Sequence, residues 1–336
     1  MNGIDLDKFV VRTDLAFEAI DDFKMKSAID VYEDNFEEKN VKIKRTVVNE
    51  SVSKEIGKKS GIYYSIDTTS IKTHDHDDLV HCENVLTKVI KEVLKVEGIT
   101  TKSKGLVVGL GNINVTPDSL GPLVIDNVIV TRHMFLLDPE KVSEGISDVS
   151  AISPGVMGTT GIETVDIIEA VINKINVDYV IAVDALASRS IARVNNTIQV
   201  TNTGISPGSG VGNKRKELSK DTLGIPVIAI GVPTVVDAVS IASDTVNFML
   251  KHFNNIIQND KNVEFDNENY KKVFLGQFGM LDEDSQRELI NEVLTPNGYN
   301  MMVTPKEVDL DIEDLSSVIS GAIDRALHTI VSEPNV

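Results

Sequence analysis

The sequence predicts an α/β protein, a sheet with helices packed on its faces. Two observations carry that expectation. Short apolar runs alternate with helical stretches through the middle of the chain. The runs GLVVGLG, VIDNVIV, DYVIAVD and IPVIAIG are also too apolar to leave one face in water, so both faces need cover.

Taken in order, LVHCENVLTKVIKEVL (79–94) reads as an amphipathic helix, and GLVVGLG (105–111) as a buried strand ending in glycines. VIDNVIV (124–130), preceded by Leu123, reads as a second strand. ETVDIIEAVINKI (163–175) follows as a helix, because Ile168, Val171, Ile172 and Ile175 recur at helical spacing. DYVIAVD (178–184) and IPVIAIG (225–231) complete the four strands. Residues 187–224 are rich in Asn, Ser and Gly, with SPGSGVGNKRKE at their centre, and read as a long functional loop. A polar stretch at about 254–300 reads as an excursion from the core. Near the C-terminus, Thr304-Pro305-Lys306-Glu307 has the shape of a capping box. Ile312, Leu315, Val318, Ile319, Ala322, Ile323, Ala326 and Leu327 then form one apolar stripe that should dock on the sheet.

Composition narrows the function classes. The 336 residues carry 33 Lys and Arg against 51 Asp and Glu, a formal net charge of −18. That charge argues against a standing grip on nucleic acid or on an anionic membrane, because both need clustered cations. One cysteine, Cys82, cannot form an internal disulfide, which suits a reducing compartment. The first 20 residues carry acids throughout and do not read as a secretory signal. No apolar run approaches the roughly 18–20 residues that span a bilayer.

Three clusters could carry chemistry. THDHDDLVH (73–81) offers His74, His76 and His81 among aspartates, but no CxxC or HExxH accompanies it, and a solvated acidic turn explains it as well. The glycines of 109–112 and 208–212 could cradle a phosphate, although neither follows the G-x-G-x-x-G pattern. The third is a pair of aspartates, Asp118 in NVTPDSLGP after the first strand and Asp184 in VIAVDALASRS at the end of the third. Ligands of open α/β sheets bind at the carboxyl ends of strands, so neighbouring strands would bring both carboxyls to one edge. Two carboxyls at one site resist ionising together, so one keeps a proton while the other polarises water, as amide hydrolysis requires. The alternative is local: Asp118 caps a turn after Pro117, and Asp184 caps a helix after its strand.

At these residues a family resemblance enters. GNINVTPDSLGP, SPGVMGTTGIET, DALASRSIARVNNTIQVTNTGISPGSGVGNKR and IGVPTVVDAV together resemble the spore germination protease family, from about Phe9 to Val331. The resemblance implies a three-layer α/β fold similar to the hydrogenase-maturation endopeptidases, within the phosphorylase/hydrolase-like class. It implies a homotetramer with no organic cofactor, made as a zymogen in the cytoplasm of the developing forespore and retained in the spore core. Its implied substrates are the small acid-soluble proteins that protect spore DNA. The family's catalytic aspartates fall in the TPD and VDA motifs, matching Asp118 and Asp184. Family substrates resemble T-E-[FIV]-A-S-E, cut between the Glu and the apolar residue. Thr13-Asp14-Leu15-Ala16-Phe17-Glu18 repeats that shape, with Asp for Glu and Phe for Ser. Self-cleavage between Asp14 and Leu15 is therefore expected, with 1–14 as propeptide and 15–336 as a single protease domain. A pocket that prefers an acid before the cut needs a cation. Arg189 and Arg193, shortly after Asp184, are better candidates for it than Lys214, Arg215 and Lys216. Two rival readings are a metal-assisted maturation-type peptidase and a nucleotide-binding module on the glycine loops.

Overall fold

A computed structural model describes residues 14–26, 32–206, 216–259, 275–295 and 301–331. Among these residues nine strands form one sheet in the order β1-β2-β3-β7-β8-β6-β4-β5, with β9 (Met302–Val303) pairing β8. Strands β1 (Tyr32–Glu38), β2 (Val41–Val48) and β3 (Gly61–Thr68) make an antiparallel meander, which β7 (Thr197–Thr201) joins to the rest. The centre is parallel: β8 (Val227–Asp237), β6 (Tyr179–Ser188), β4 (Gly105–Gly109) and β5 (Val149–Ile152).

Both faces of this central sheet are covered, and residue parity shows how. Val107, Tyr179, Ile181, Val183, Ile228 and Ile230 point to one face. There they meet α4 (His76–Val96), α5 (Leu120–Asn127) and the C-terminal helix Val308–Leu327. Leu106, Val108, Val180, Ala182 and Val227 point to the other, where α8 (Thr164–Ile175) supplies Val165, Ile168 and Ile172. The predicted C-terminal stripe docks as expected, with Ile312, Leu315, Ile319, Ala322 and Ile323 almost fully buried. Each such Ile or Leu side chain contributes about 1.5–3 kcal/mol by leaving water. Three layers result, helices on a sheet on helices.

Three expectations need correction. Residues 124–130 are not a strand: α5 takes Leu120–Asn127, burying Leu120 and Val124 four apart, and β5 pairs with β4 instead. Close approach explains the choice, since Gly109 on β4 and Gly121 on α5 lie so near that a Cβ on either would strike the other's backbone. The stretch 187–224 is not all loop, because β7 within it is buried at all five positions. Thr304 does not cap the last helix, which starts at Val308, and its hydroxyl donates to the Thr234 carbonyl at 2.8 Å instead. Part of the polar stretch at 254–300 is helical, in the end of α10 (Ala238–Asn259) and in the helix Glu283–Leu294. No helix among the described residues is long and apolar enough to cross a membrane.

Candidate active site

The connections around β4 make a crevice. From β4 the chain passes through α5 on one face to β5, then returns through α8 on the other face to β6, on the opposite side of β4. Such a reversal leaves a cleft at the carboxyl ends of the two diverging strands. A cavity of roughly 460 Å³ lies there, lined by Leu110–Gly111, Val115, Pro117–Asp118, Gly155–Val156, Asp184–Ala187, Thr234 and also Asp14.

Asp184 is the first residue of β6 beyond its last pairing with β4, Gly109 with Val183, and it still pairs with Gly231 of β8. The strand runs on to Ser188, so Asp184 does not cap a helix. Its residue is only 4% exposed. Asp118 arrives from the loop after β4 and closes a single 3₁₀ turn, Thr116–Asp118. Three contacts aim that turn. The Leu110 N–H donates to the Val183 carbonyl at 2.8 Å, stitching the loop to β6 beside Asp184. The Asn112 N–H donates to the Asp118 carbonyl at 3.0 Å. The Thr234 hydroxyl of β8 donates to the Pro117 carbonyl at 2.6 Å. Gly111 makes the return possible: at φ +118° it has no side chain, and a Cβ there would collide with the Asp118 carbonyl oxygen. Both sequence-predicted aspartates thus line one cavity.

Asp14 reaches the same cavity. The Asp14 N–H donates to the Ala187 carbonyl at 3.1 Å, and its carboxylate accepts from the Ala187 N–H at 2.9 Å. Asp14 is thereby held to the part of β6 that runs on beyond its pairing with β4. Leu15 is fully buried, and the Ala16 N–H donates to the Gln199 side chain at 2.7 Å. Helix α1 (Ala16–Lys26) then begins. Glu18 is buried, with its carboxylate accepting from the backbone N–H groups of Arg189 (2.9 Å) and Ser190 (3.2 Å). Arg193 spans Glu18 at 3.6 Å, Asp21 at 3.7 Å and Asp67 at 3.7 Å. The structure therefore sets Arg193 and the Arg189 amide against Glu18, while the Asp14 carboxylate rests on Ala187.

Lys58 and Thr234, which sequence reasoning passed over, also serve this region. Lys58 sits in a polar GKKSG turn without any periodic signal, and Thr234 is one more small residue in a strand. Both become visible only when the chain is folded.

The other candidates fall elsewhere. Asp75 caps α4, accepting from the N–H groups of Asp77 and Asp78 at 3.1 Å, and His74 contacts Asp314 at 2.6 Å. Among the described residues no three His, Cys, Asp or Glu side chains are grouped to hold a metal ion. Gly109 serves helix packing, and residues 208–212, Lys214 and Arg215 lie outside the described residues. Lys216 pairs with Asp166 at 2.7 Å. Burial pushes the Cys82 thiol up to about 12, which suits a core residue and not a nucleophile.

The chain resembles a crystal structure of a [NiFe] hydrogenase maturation protease HycI from Thermococcus kodakarensis KOD1, at 17% identity over 44% of this chain and 80% of that one. With a TM-score of 0.28, that likeness adds nothing to the assignment. Sequence relatives are far nearer. The chain is 50% identical to the germination protease of Bacillus licheniformis, over 99% of this chain and 97% of the relative. It is 49% identical to those of Bacillus cereus (strain B4264) and Bacillus mycoides (strain KBAB4), with the same coverage. The germination protease family matches residues 12–266 and 260–336. On a match of that extent, the chain belongs to the germination protease family, the endopeptidases of spore germination.

Proposed function

We propose that this chain is the zymogen of a sequence-specific endopeptidase that uses Asp118 and Asp184 to activate water. It first cuts itself between Asp14 and Leu15, with 1–14 as propeptide and 15–336 as the protease domain. It then begins degradation of the small acid-soluble DNA-protecting spore proteins in the spore core. The observation that carries this reading is the cavity at the ends of β4 and β6, which Asp14, Asp118 and Asp184 line together. One carboxylate takes the proton of the attacking water and the other, protonated, holds the carbonyl or supplies the leaving amine. No organic cofactor enters this chemistry.

The substrate's acids need partners. The seat of Glu18, two backbone N–H groups and the Arg193 guanidinium, has the chemistry to hold a carboxylate. We assign Arg189 and Arg193 to reading an acidic substrate residue there. Self-association into a homotetramer is supported by α6 (Arg132–Leu137), which leaves Leu136 and Leu137 68% and 83% exposed.

The test uses a purified small acid-soluble spore protein as substrate. Asp118→Asn and Asp184→Asn should each lose cleavage by about 10²–10⁴-fold or more while keeping the wild-type circular dichroism and melting. Near wild-type cleavage by either folded variant removes that residue from the mechanism.

A further inference from the structure

Helix α2 (Glu50–Ile56) ends at Gly57, and the residue after it is locked at both backbone groups. The Lys58 N–H donates to the Ser53 carbonyl at 3.2 Å, and the Ser53 hydroxyl donates to the Lys58 carbonyl at 2.6 Å. This anchor sends the Lys58 side chain beneath the N-terminal segment, where its Nζ donates to the carbonyl oxygen of Asp14 at 3.1 Å. That oxygen belongs to the Asp14–Leu15 peptide bond.

The bond is fixed on every side. Asp14 is held through both its N–H and its carboxylate by Ala187, Leu15 is fully buried, and the next N–H is taken by Gln199. Holding reacting groups in one geometry removes an entropic part of the barrier. A cation on the carbonyl oxygen does more, because negative charge grows on that atom when water adds. Burial pulls the Lys58 pKa down, and the carboxylates of Asp14 and Glu18 oppose that pull.

We propose that Lys58 is a catalytic residue for cleavage of the Asp14–Leu15 bond, its ammonium holding the Asp14 carbonyl oxygen and stabilising the oxyanion formed there. This rests on the reading that the chain cuts itself at that bond. In the step, water adds to the Asp14 carbonyl carbon and gives one proton to a carboxylate of the Asp118/Asp184 pair. The carbonyl π electrons move to the oxygen that Lys58 holds. The tetrahedral species then collapses, the carbon–nitrogen bond breaks, and a proton from the pair goes to the Leu15 nitrogen. The products are a carboxylic acid at Asp14 and an amine at Leu15, and Lys58 neither gains nor loses a proton. Once 1–14 departs, the ammonium remains to meet the same carbonyl of a bound substrate.

The test follows appearance of the Leu15 N-terminus in the full chain by mass spectrometry. Wild type, Lys58→Met and Lys58→Ala are compared, the last with and without n-propylamine. Lys58→Met keeps the length and apolar stem, so the fold should persist, while self-cleavage should slow by about 10²–10³-fold, the usual effect of removing an oxyanion donor. Propylamine should restore cleavage in Lys58→Ala with saturable dependence on amine concentration, which a purely structural role would not give. A folded Lys58→Met chain that processes at the wild-type rate, or a folded Lys58→Ala chain that no amine revives, overturns the assignment of Lys58. A wild-type chain that yields an N-terminus other than Leu15 overturns the cleavage reading itself, and this assignment with it.

Discussion

Replacing Gly111 by alanine puts a methyl group where the Asp118 carbonyl oxygen stands, at a backbone φ of +118° that side chains avoid. Two costs follow. An alanine held in that sparsely populated region costs about 1–3 kcal/mol. The turn must also move away from the methyl group, which loses the hydrogen bond from the Asn112 N–H at about 1 kcal/mol. A stability loss of about 2–4 kcal/mol is therefore expected, within the roughly 5–15 kcal/mol that domains possess, so the variant should fold. Activity should suffer more than stability. The 3₁₀ turn that carries Asp118 has to shift, and a displacement of about 1 Å at a catalytic group can cost about 10²-fold. Urea denaturation measures the first quantity, and the rate of self-cleavage measures the second. A Gly111→Ala chain with near wild-type activity would mean that the position of Asp118 does not depend on that close approach.

Other perturbations separate the remaining roles. Arg193→Gln should lower kcat/KM for a Glu-containing peptide much more than for its Gln analogue, and equal losses would limit the guanidinium to holding α1 in place through Glu18 and Asp21. Asp324 offers a pH test away from the site. Burial pushes its carboxyl up to about 6, although the Ile129 N–H donates to it. An acid whose folded pKa exceeds the unfolded value of about 3.9 favours folding while protonated, so its contribution falls as pH rises from about 4 to about 6. Asp324→Asn should therefore gain on the wild type in urea midpoint between pH 4 and pH 7, and an unchanged difference would contradict the assignment.

The parallel centre was legible because its strands are continuous apolar runs between glycines and turns, and a fully buried strand leaves that mark. The α8 and C-terminal helices were legible because their apolar residues recur at helical spacing over three turns or more. The run after Gly121 misled for the opposite reason. Eight residues rich in Val and Ile suit a strand as well as two helical turns, and contact with Gly109 decides between them. Strand β7 hid because Asn, Ser and Gly surround its five residues.

That Asp118 and Asp184 would line one cavity was legible because Asp118 follows the apolar run of β4 and Asp184 ends the apolar run of β6, and such runs converge in this architecture. Lys58, Glu18 and the Ala187 amide were not. Their meaning lies in contacts between residues far apart in the chain, such as the 3.1 Å contact of Lys58 with Asp14.

If Asp118 and Asp184 cut the chain's own bond after Asp14, the new N-terminus reports it. The purified full chain, incubated at mildly acidic pH beside its Asp184→Asn variant, should yield a protein beginning Leu15-Ala16-Phe17-Glu18, while the variant keeps its original N-terminus. A cut at another bond, no cut in active enzyme, or the same cut in the variant would contradict the account.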